Sequence, residues 1–164
     1  MGNSVELGYR SGLYVNTGTF SIPVWVEIDL ARDVTATDSV DKIDVTTRRT
    51  ARYGFKANEY GLAEKGWRVE VLIPASGETN TAYETLETAR RNRTTVDILH
   101  VEGGSISTNG LPATRAICGV FGGEKSEPLS GVATRSYELS FILNSDQSVP
   151  QYGTTLNGEF IAAS

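Results

Sequence analysis

The side chains able to do covalent or acid–base chemistry are few and scattered. His100 is the one histidine and Cys118 the one cysteine. His100 falls in a short strand-like pattern where it shares a face with Val96 and Ile98. A structural role suits it better than general-base work, which needs a nucleophile within reach. Cys118 lies between Ile117 and Gly119 in an apolar run and reads as a small core hydrophobe rather than a reactive thiol. One histidine and one cysteine cannot complete a tetrahedral zinc site without carboxylates, and no serine sits in a G-x-S-x-G elbow. Asp38, Asp41 and Asp44 recur every three residues but lack the glycine and terminal glutamate of a calcium loop. Gly103-Gly104 and Gly122-Gly123 lack the Lys-Ser/Thr and helix of a phosphate loop, so both are expected to be hairpin turns. The expectation is a protein with no catalytic residue, cofactor or metal site.

The elements that would carry these residues are mainly strands. Val24, Val26, Ile28 and Leu30 alternate with Trp25, Glu27 and Asp29. Trp67, Val69, Val71 and Ile73 alternate with Arg68 and Glu70, and the run stops at Pro74. Further strands are expected at 52–57, 96–101, 113–121, 137–143 and 159–162. The 113–121 run is apolar on both faces, as a strand covered on two sides would be. One helix is expected, at about 81–92. Thr81 to Glu84 has capping-box spacing, Tyr83 and Leu86 recur at helical intervals, and acids precede bases along its length. The fold class is therefore mainly β, a sandwich or barrel with one flanking helix, in a single domain. Polar stretches at 1–22 and 144–164 read as terminal arms. The segment from about 34 to 66 is too long and too charged for a routine connection, and such excursions usually serve binding or assembly.

Composition narrows the partners. A chain of 164 residues with 39% hydrophobic and 21% charged residues can bury a core of its own. Its net charge of −5 argues against a nucleic-acid grip, which needs a positive field. The N-terminal sequence MGNSVELGYRSG lacks a basic region followed by an apolar one, and Met1-Gly2 lacks the Ser or Thr at position six that myristoylation requires. No apolar run approaches the roughly 18 residues of a membrane span. With a single cysteine, cytoplasmic synthesis is the simplest expectation.

Read in order, several strings resemble bacteriophage tail tube proteins. They are Arg32-Asp33-Val34-Thr35, then Asp41 to Arg48 (DKIDVTTR), then Gly54-Phe55-Lys56, Gly61-Leu62 and the strand Trp67 to Ile73. The helix TAYETLETARRN follows, and later Glu127 to Thr134 (EPLSGVAT) and the Tyr137 to Leu143 strand. The resemblance covers roughly residues 24–145. It implies a β-sandwich or barrel flanked by one helix and a structural virion role. Subunits of this family form hexameric rings that stack into a hollow tail tube conducting DNA from phage head to host. It also implies partners: other copies of the chain, and other tail proteins such as tape measure, tail tip and terminator. DNA would pass through the lumen without specific binding, and no membrane partner is implied. The location implied is the virion tail, assembled in the bacterial host cytoplasm. Contractile-tail and type VI secretion tube proteins are similar in fold, so a contractile injection system is an alternative. A carbohydrate- or receptor-binding β-sandwich is a rival from another class, favoured if Trp25, Trp67 and several tyrosines lined one exposed groove.

Two sets of site residues follow from the tube reading. Asp38, Asp41, Asp44, Arg48, Arg49, Arg52, Tyr53, Phe55 and Tyr60 are expected at subunit interfaces, with the aromatics as anchors. Glu27, Asp29, Glu70 and Glu138 are expected to line the lumen. Six copies at −5 each carry a formal charge of −30, and acid facing the channel would repel phosphate.

Overall fold

The structure, a computed structural model, describes residues 4, 5 and 7–163. Among the described residues nine strands form one antiparallel sheet: β1 (Gly12–Asn16), β2 (Trp25–Glu27), β3 (Ala31–Asp44), β4 (Asn58–Leu72), β5 (Thr95–Val101), β6 (Pro112–Ser126), β7 (Thr134–Phe141), β8 (Gln151–Leu156) and β9 (Glu159–Ala162). A short helix α1 (Arg48–Ala51) joins β3 to β4, and α2 (Thr81–Asn92) precedes β5. The main path runs β2-β1-β5-β6-β7-β4-β3, with the β8–β9 hairpin paired to the first residues of β6.

Connectivity forces this sheet to roll up. Laid flat, seven strands would hold β2 and β3 about 29 Å apart at ~4.8 Å per step. Yet Glu27 and Ala31 are joined through Ile28–Leu30 alone, which span at most about 14 Å. The curl shows in Trp67 on β4 and His100 on β5, whose ring centroids are 6.1 Å apart although β6 and β7 lie between their strands. One face of the rolled sheet holds the larger core: Leu13, Val15, Trp67, Val69, Val71, Val96, Ile98, Ala116, Cys118, Tyr137 and Leu139. Helix α2 covers it with Ala82, Leu86 and Ala89, spaced to share one helix face. A smaller cluster of Tyr14, Leu99, Val101 and Ala113 lies on the other face. Residues 113–119 of β6 are all buried, matching the two-sided apolar pattern.

Several expectations are corrected in detail. The helix spans the expected residues, but its N-cap is Asn80, whose Oδ1 accepts the Tyr83 N–H at 3.0 Å, rather than Thr81. Strand β2 is only three residues long because the chain bends at Ile28, whose N–H donates to the Leu13 carbonyl at 2.8 Å. Residues 52–57 are turn rather than strand. Gly122 and Gly123 sit inside β6 beside a bulge, not in a hairpin turn. A Cβ at Gly123 would lie 2.2 Å from Arg90 Cδ, so glycine there makes room for that side chain. The stretches read as arms contain β1, β8 and β9, and β1 contributes Leu13, Tyr14 and Val15 to the buried set.

One polar clip holds the C-terminal part to β6. Buried Gln147 accepts the Ile117 N–H at 2.6 Å and donates to the Arg115 carbonyl at 3.1 Å, imitating a strand partner where β7 and β8 part. Gln147→Ala would leave both backbone groups unpaired, at about 1–3 kcal/mol per orphaned group. Urea unfolding should show a loss of about 2–3 kcal/mol; a loss below about 0.5 kcal/mol would mean the amide is dispensable.

Candidate assembly surfaces

The segment expected as a long loop is a β-hairpin. β3 and β4 pair continuously from Ala31↔Val71 out to Asp44↔Asn58, with bulges near Arg32 and Asp41. Only Gly66–Leu72 of β4 also pairs with β7, so everything beyond stands off the body of the sheet. The eight residues Asn58–Lys65 carry the tip about 27 Å outward at ~3.4 Å per residue. No residue from Arg32 to Lys65 is buried. The tip is nonetheless ordered by its own hydrogen bonds. Thr47 and Thr50 form a reciprocal capping box on α1, Val45 N–H donates to the Ala57 carbonyl at 2.9 Å, and Ala57 N–H donates to Thr46 Oγ1 at 2.9 Å.

The expected interface residues divide along this hairpin. Tyr53, Phe55 and Tyr60 are 78%, 80% and 91% exposed, and Leu62 beside them is 82% exposed. Arg48 and Arg49 lie on α1, and Arg52 caps its C-terminal end. Asp38 faces Lys65 on the opposite strand at 3.8 Å, an ion pair within the chain. Asp44 accepts the Thr46 N–H at 2.9 Å. Hydrogen bonds from the Thr46 side chain and backbone hold its carboxyl below the usual carboxylate range. Asp41 is exposed and packs its Cβ close to Gly61. Between Val45 and Ala57 stand four cations, Arg48, Arg49, Arg52 and Lys56, and no acid.

The four acids expected in a lumen fall in two places. Glu70 and Glu138 lie on the sheet face turned away from the larger core. The ladder sets Glu124, Ser136, Glu70 and Asp33 in one row across β6, β7, β4 and β3, and Gly122, Glu138, Arg68 and Thr35 in the next. These two rows hold four acids, Asp33, Glu70, Glu124 and Glu138, and one cation, Arg68, beside Glu138. Arg32, in the bulge before Asp33, adds a second cation 3.8 Å from Glu70. Glu27 and Asp29 are elsewhere: with Glu102 they rim an open cleft of about 700 Å³ between β1–β2 and the start of β3. Asp29 also accepts a hydrogen bond from Asn80 Nδ2 at 2.9 Å.

Two buried ion networks went unseen in the sequence. Glu87 of α2 accepts from Tyr137 Oη at 2.6 Å and from Arg90 at 3.1 and 2.9 Å, with Arg135 Nε 3.0 Å away. Arg115 grips Asp97 at 2.6 Å and stacks its guanidinium on the rings of Phe20 and Trp25, 4.0 and 5.1 Å from their centroids. An arginine in the apolar register of β6 was the available signal for the second. Cys118 is buried, and burial pushes its thiol up to about 12, so it is not nucleophilic. Cys118 stands opposite Val96 and His100 opposite Thr114. The two are therefore about four residues, or ~13 Å, apart along β5. Trp67 is 1% exposed and Trp25 lies half-buried under Arg115, so the aromatic groove of a sugar-binding module is not formed by them.

This fold is shared with solved chains of tail tubes and tails. The chain is similar to the SPP1 tail tube, with a TM-score of 0.68 at 12% identity over 96% of this chain and 81% of that one. It is similar to a chain of the native gene transfer agent virion, with a TM-score of 0.65 at 9% identity, covering 93% of this chain and 100% of that one. It also matches a chain in the tail of the empty gene transfer agent particle, refined with C6 symmetry, at a TM-score of 0.64 and 9% identity, over 80% and 92% of the two chains. No family model and no curated protein sequence matches the chain.

Proposed function

We propose that this protein is a structural subunit that assembles with copies of itself into hexameric rings, and that the rings stack into a hollow tail tube conducting DNA. One observation carries the reading: a tail-tube fold that projects a stiff, self-paired hairpin whose tip exposes Tyr53, Phe55 and Tyr60 to water. An isolated chain gains nothing from holding three aromatics there, whereas an interface does. Sixfold order is supported by the C6 symmetry of one similar particle's tail. The row of Asp33, Glu70 and Glu124, with Glu138 beside it, fits a lumen wall that repels phosphate and lets DNA slide. Tape measure, tail tip and terminator proteins would meet the ends and interior of such a tube, and its place would be a particle tail assembled in a bacterial cytoplasm.

Negative-stain microscopy of the purified chain, concentrated at low salt, tests this. Rings or tubes with a central channel are expected. A chain that stays monomeric at concentrations of hundreds of micromolar would overturn the reading.

A further inference from the structure

The hairpin tip and the acid-rimmed cleft are opposite in charge. Of the 15 Lys and Arg, four lie between Val45 and Ala57, leaving 11 for the rest of the chain against all 20 Asp and Glu. The tip is thus a local cation on an acidic molecule, and it carries exposed Tyr53 and Phe55. The cleft is lined by buried Leu13 and Ile28, by Ala31, Val34 and Ala36, and by the exposed acids Glu27, Asp29 and Glu102. Among the described residues lining it, the one Lys or Arg is Arg32, which stands at Glu70. At about 700 Å³ it can hold ligand-sized groups such as one or two aromatic side chains. We propose that the tip of one copy seats Tyr53 and Phe55 in the cleft of another copy, with Arg48, Arg49 and Arg52 meeting Glu27 and Glu102 at its rim. This rests on the tube-subunit reading above and names the contact that reading leaves open.

A second copy is required by geometry. The cleft lies at the base of β3, beside Ala31 to Ala36, and the tip begins beyond Asp44 of the same strand. Eleven residues from Ala36 to Thr47 span about 37 Å of extended strand. The paired hairpin cannot fold back on its own base without breaking its ladder. A contact between two different patches of the same chain is heterologous, so repetition closes a ring or extends a filament rather than stopping at a dimer. Aromatics against the cleft's apolar lining would supply affinity, and the charged rim would set orientation and speed of docking.

The test places a photoreactive benzoylphenylalanine at Phe55 in the full chain, irradiates the assembled material, and maps the adducts by mass spectrometry. Adducts on residues 27–36 or 100–102 of another copy are expected. In parallel, Arg48→Glu/Arg49→Glu/Arg52→Glu should cut the sedimentable fraction at least tenfold, and adding Glu27→Lys/Glu102→Lys to the same chain should restore most of it. Asp29 is left intact because it holds Asn80. Tubes that form with adducts elsewhere, or a combined variant that assembles no better than the arginine variant, would overturn the docking proposal and leave the tube reading standing. A wild-type chain that forms no assembly would remove both.

Discussion

Replacing residues 40–63 by Asn-Gly is expected to abolish assembly while leaving the domain folded. The cut falls at a matched rung, because Ser39 pairs with Glu64, and Asn-Gly closes a two-residue hairpin of the right twist. None of the removed residues is buried, and the part of β4 that pairs with β7 begins at Gly66. The transition temperature should therefore move by no more than about 4 °C, the equivalent of roughly 1 kcal/mol for a domain of this size. Sedimentation velocity should show a monomer at concentrations where the full chain forms rings or tubes. Tubes from the shortened chain would show that the hairpin is not the assembly element. A shortened chain that unfolds would show that the hairpin supports the core, against its exposure. The point substitutions Tyr53→Ser and Phe55→Ser separate these cases, since neither side chain touches the core and both should weaken assembly without a stability cost.

The hairpin also shows why part of the fold was legible in the sequence and part was not. Periodicity marks strands only where one face is covered and the other is wet. From Trp67 to Val71 the strand lies over the core, and the alternation gives its register. The outer half of the same strand, with all of β3 beyond Ala31, has water on both faces, so Thr35, Asp38, Ser39 and Lys42 carry no alternation. Backbone pairing holds these residues in a ladder that composition does not reveal. The segment's length and charge point to binding or assembly, and the resemblance to tail tube proteins narrows that expectation to contact between subunits, but its strand pairing is visible only in the structure. Helix α2 was readable because its apolar face, its acid-to-base order and its length agree. The missed polar networks have a different cause. Glu87, Arg115, Asp97 and Gln147 look like surface residues in sequence, and only their partners from distant strands explain their burial. The split of the four expected lumen acids has the same origin. Alternation places Glu27, Glu70 and Glu138 on polar faces, but the roll of the sheet decides which of them stand together.

The buried Glu87 network should matter most to stability. Glu87→Gln is expected to cost about 3 kcal/mol, the lower end of the ~3–5 kcal/mol typical when one partner of a buried pair is removed. The lower end applies because Arg90 can turn to water, its side chain being 29% exposed, whereas Arg135 at 13% cannot easily do so. Arg135 would be left against an uncharged amide, and Tyr137 Oη would lose its carboxylate acceptor. Since α2 meets the sheet through this cluster and the apolar stripe of Ala82, Leu86 and Ala89, helix docking and global stability should fall together. Burial alone would raise the Glu87 pKa, but hydrogen bonds from Arg90 and Tyr137 and the charge of Arg135 outweigh it and hold the carboxyl below its ordinary 4.5. A depressed folded-state pKa means the contribution is complete above the unfolded value and is lost as pH falls through the folded one. The wild type should therefore lose stability from about pH 4.5 downward more steeply than Glu87→Gln, and the two denaturation curves should converge in acid. Urea midpoints measured from pH 7 to pH 3 would show this. Parallel pH profiles would mean that Glu87 is not titrating against its arginines, and a loss under about 1 kcal/mol at pH 7 would mean that the helix is held by its apolar stripe alone.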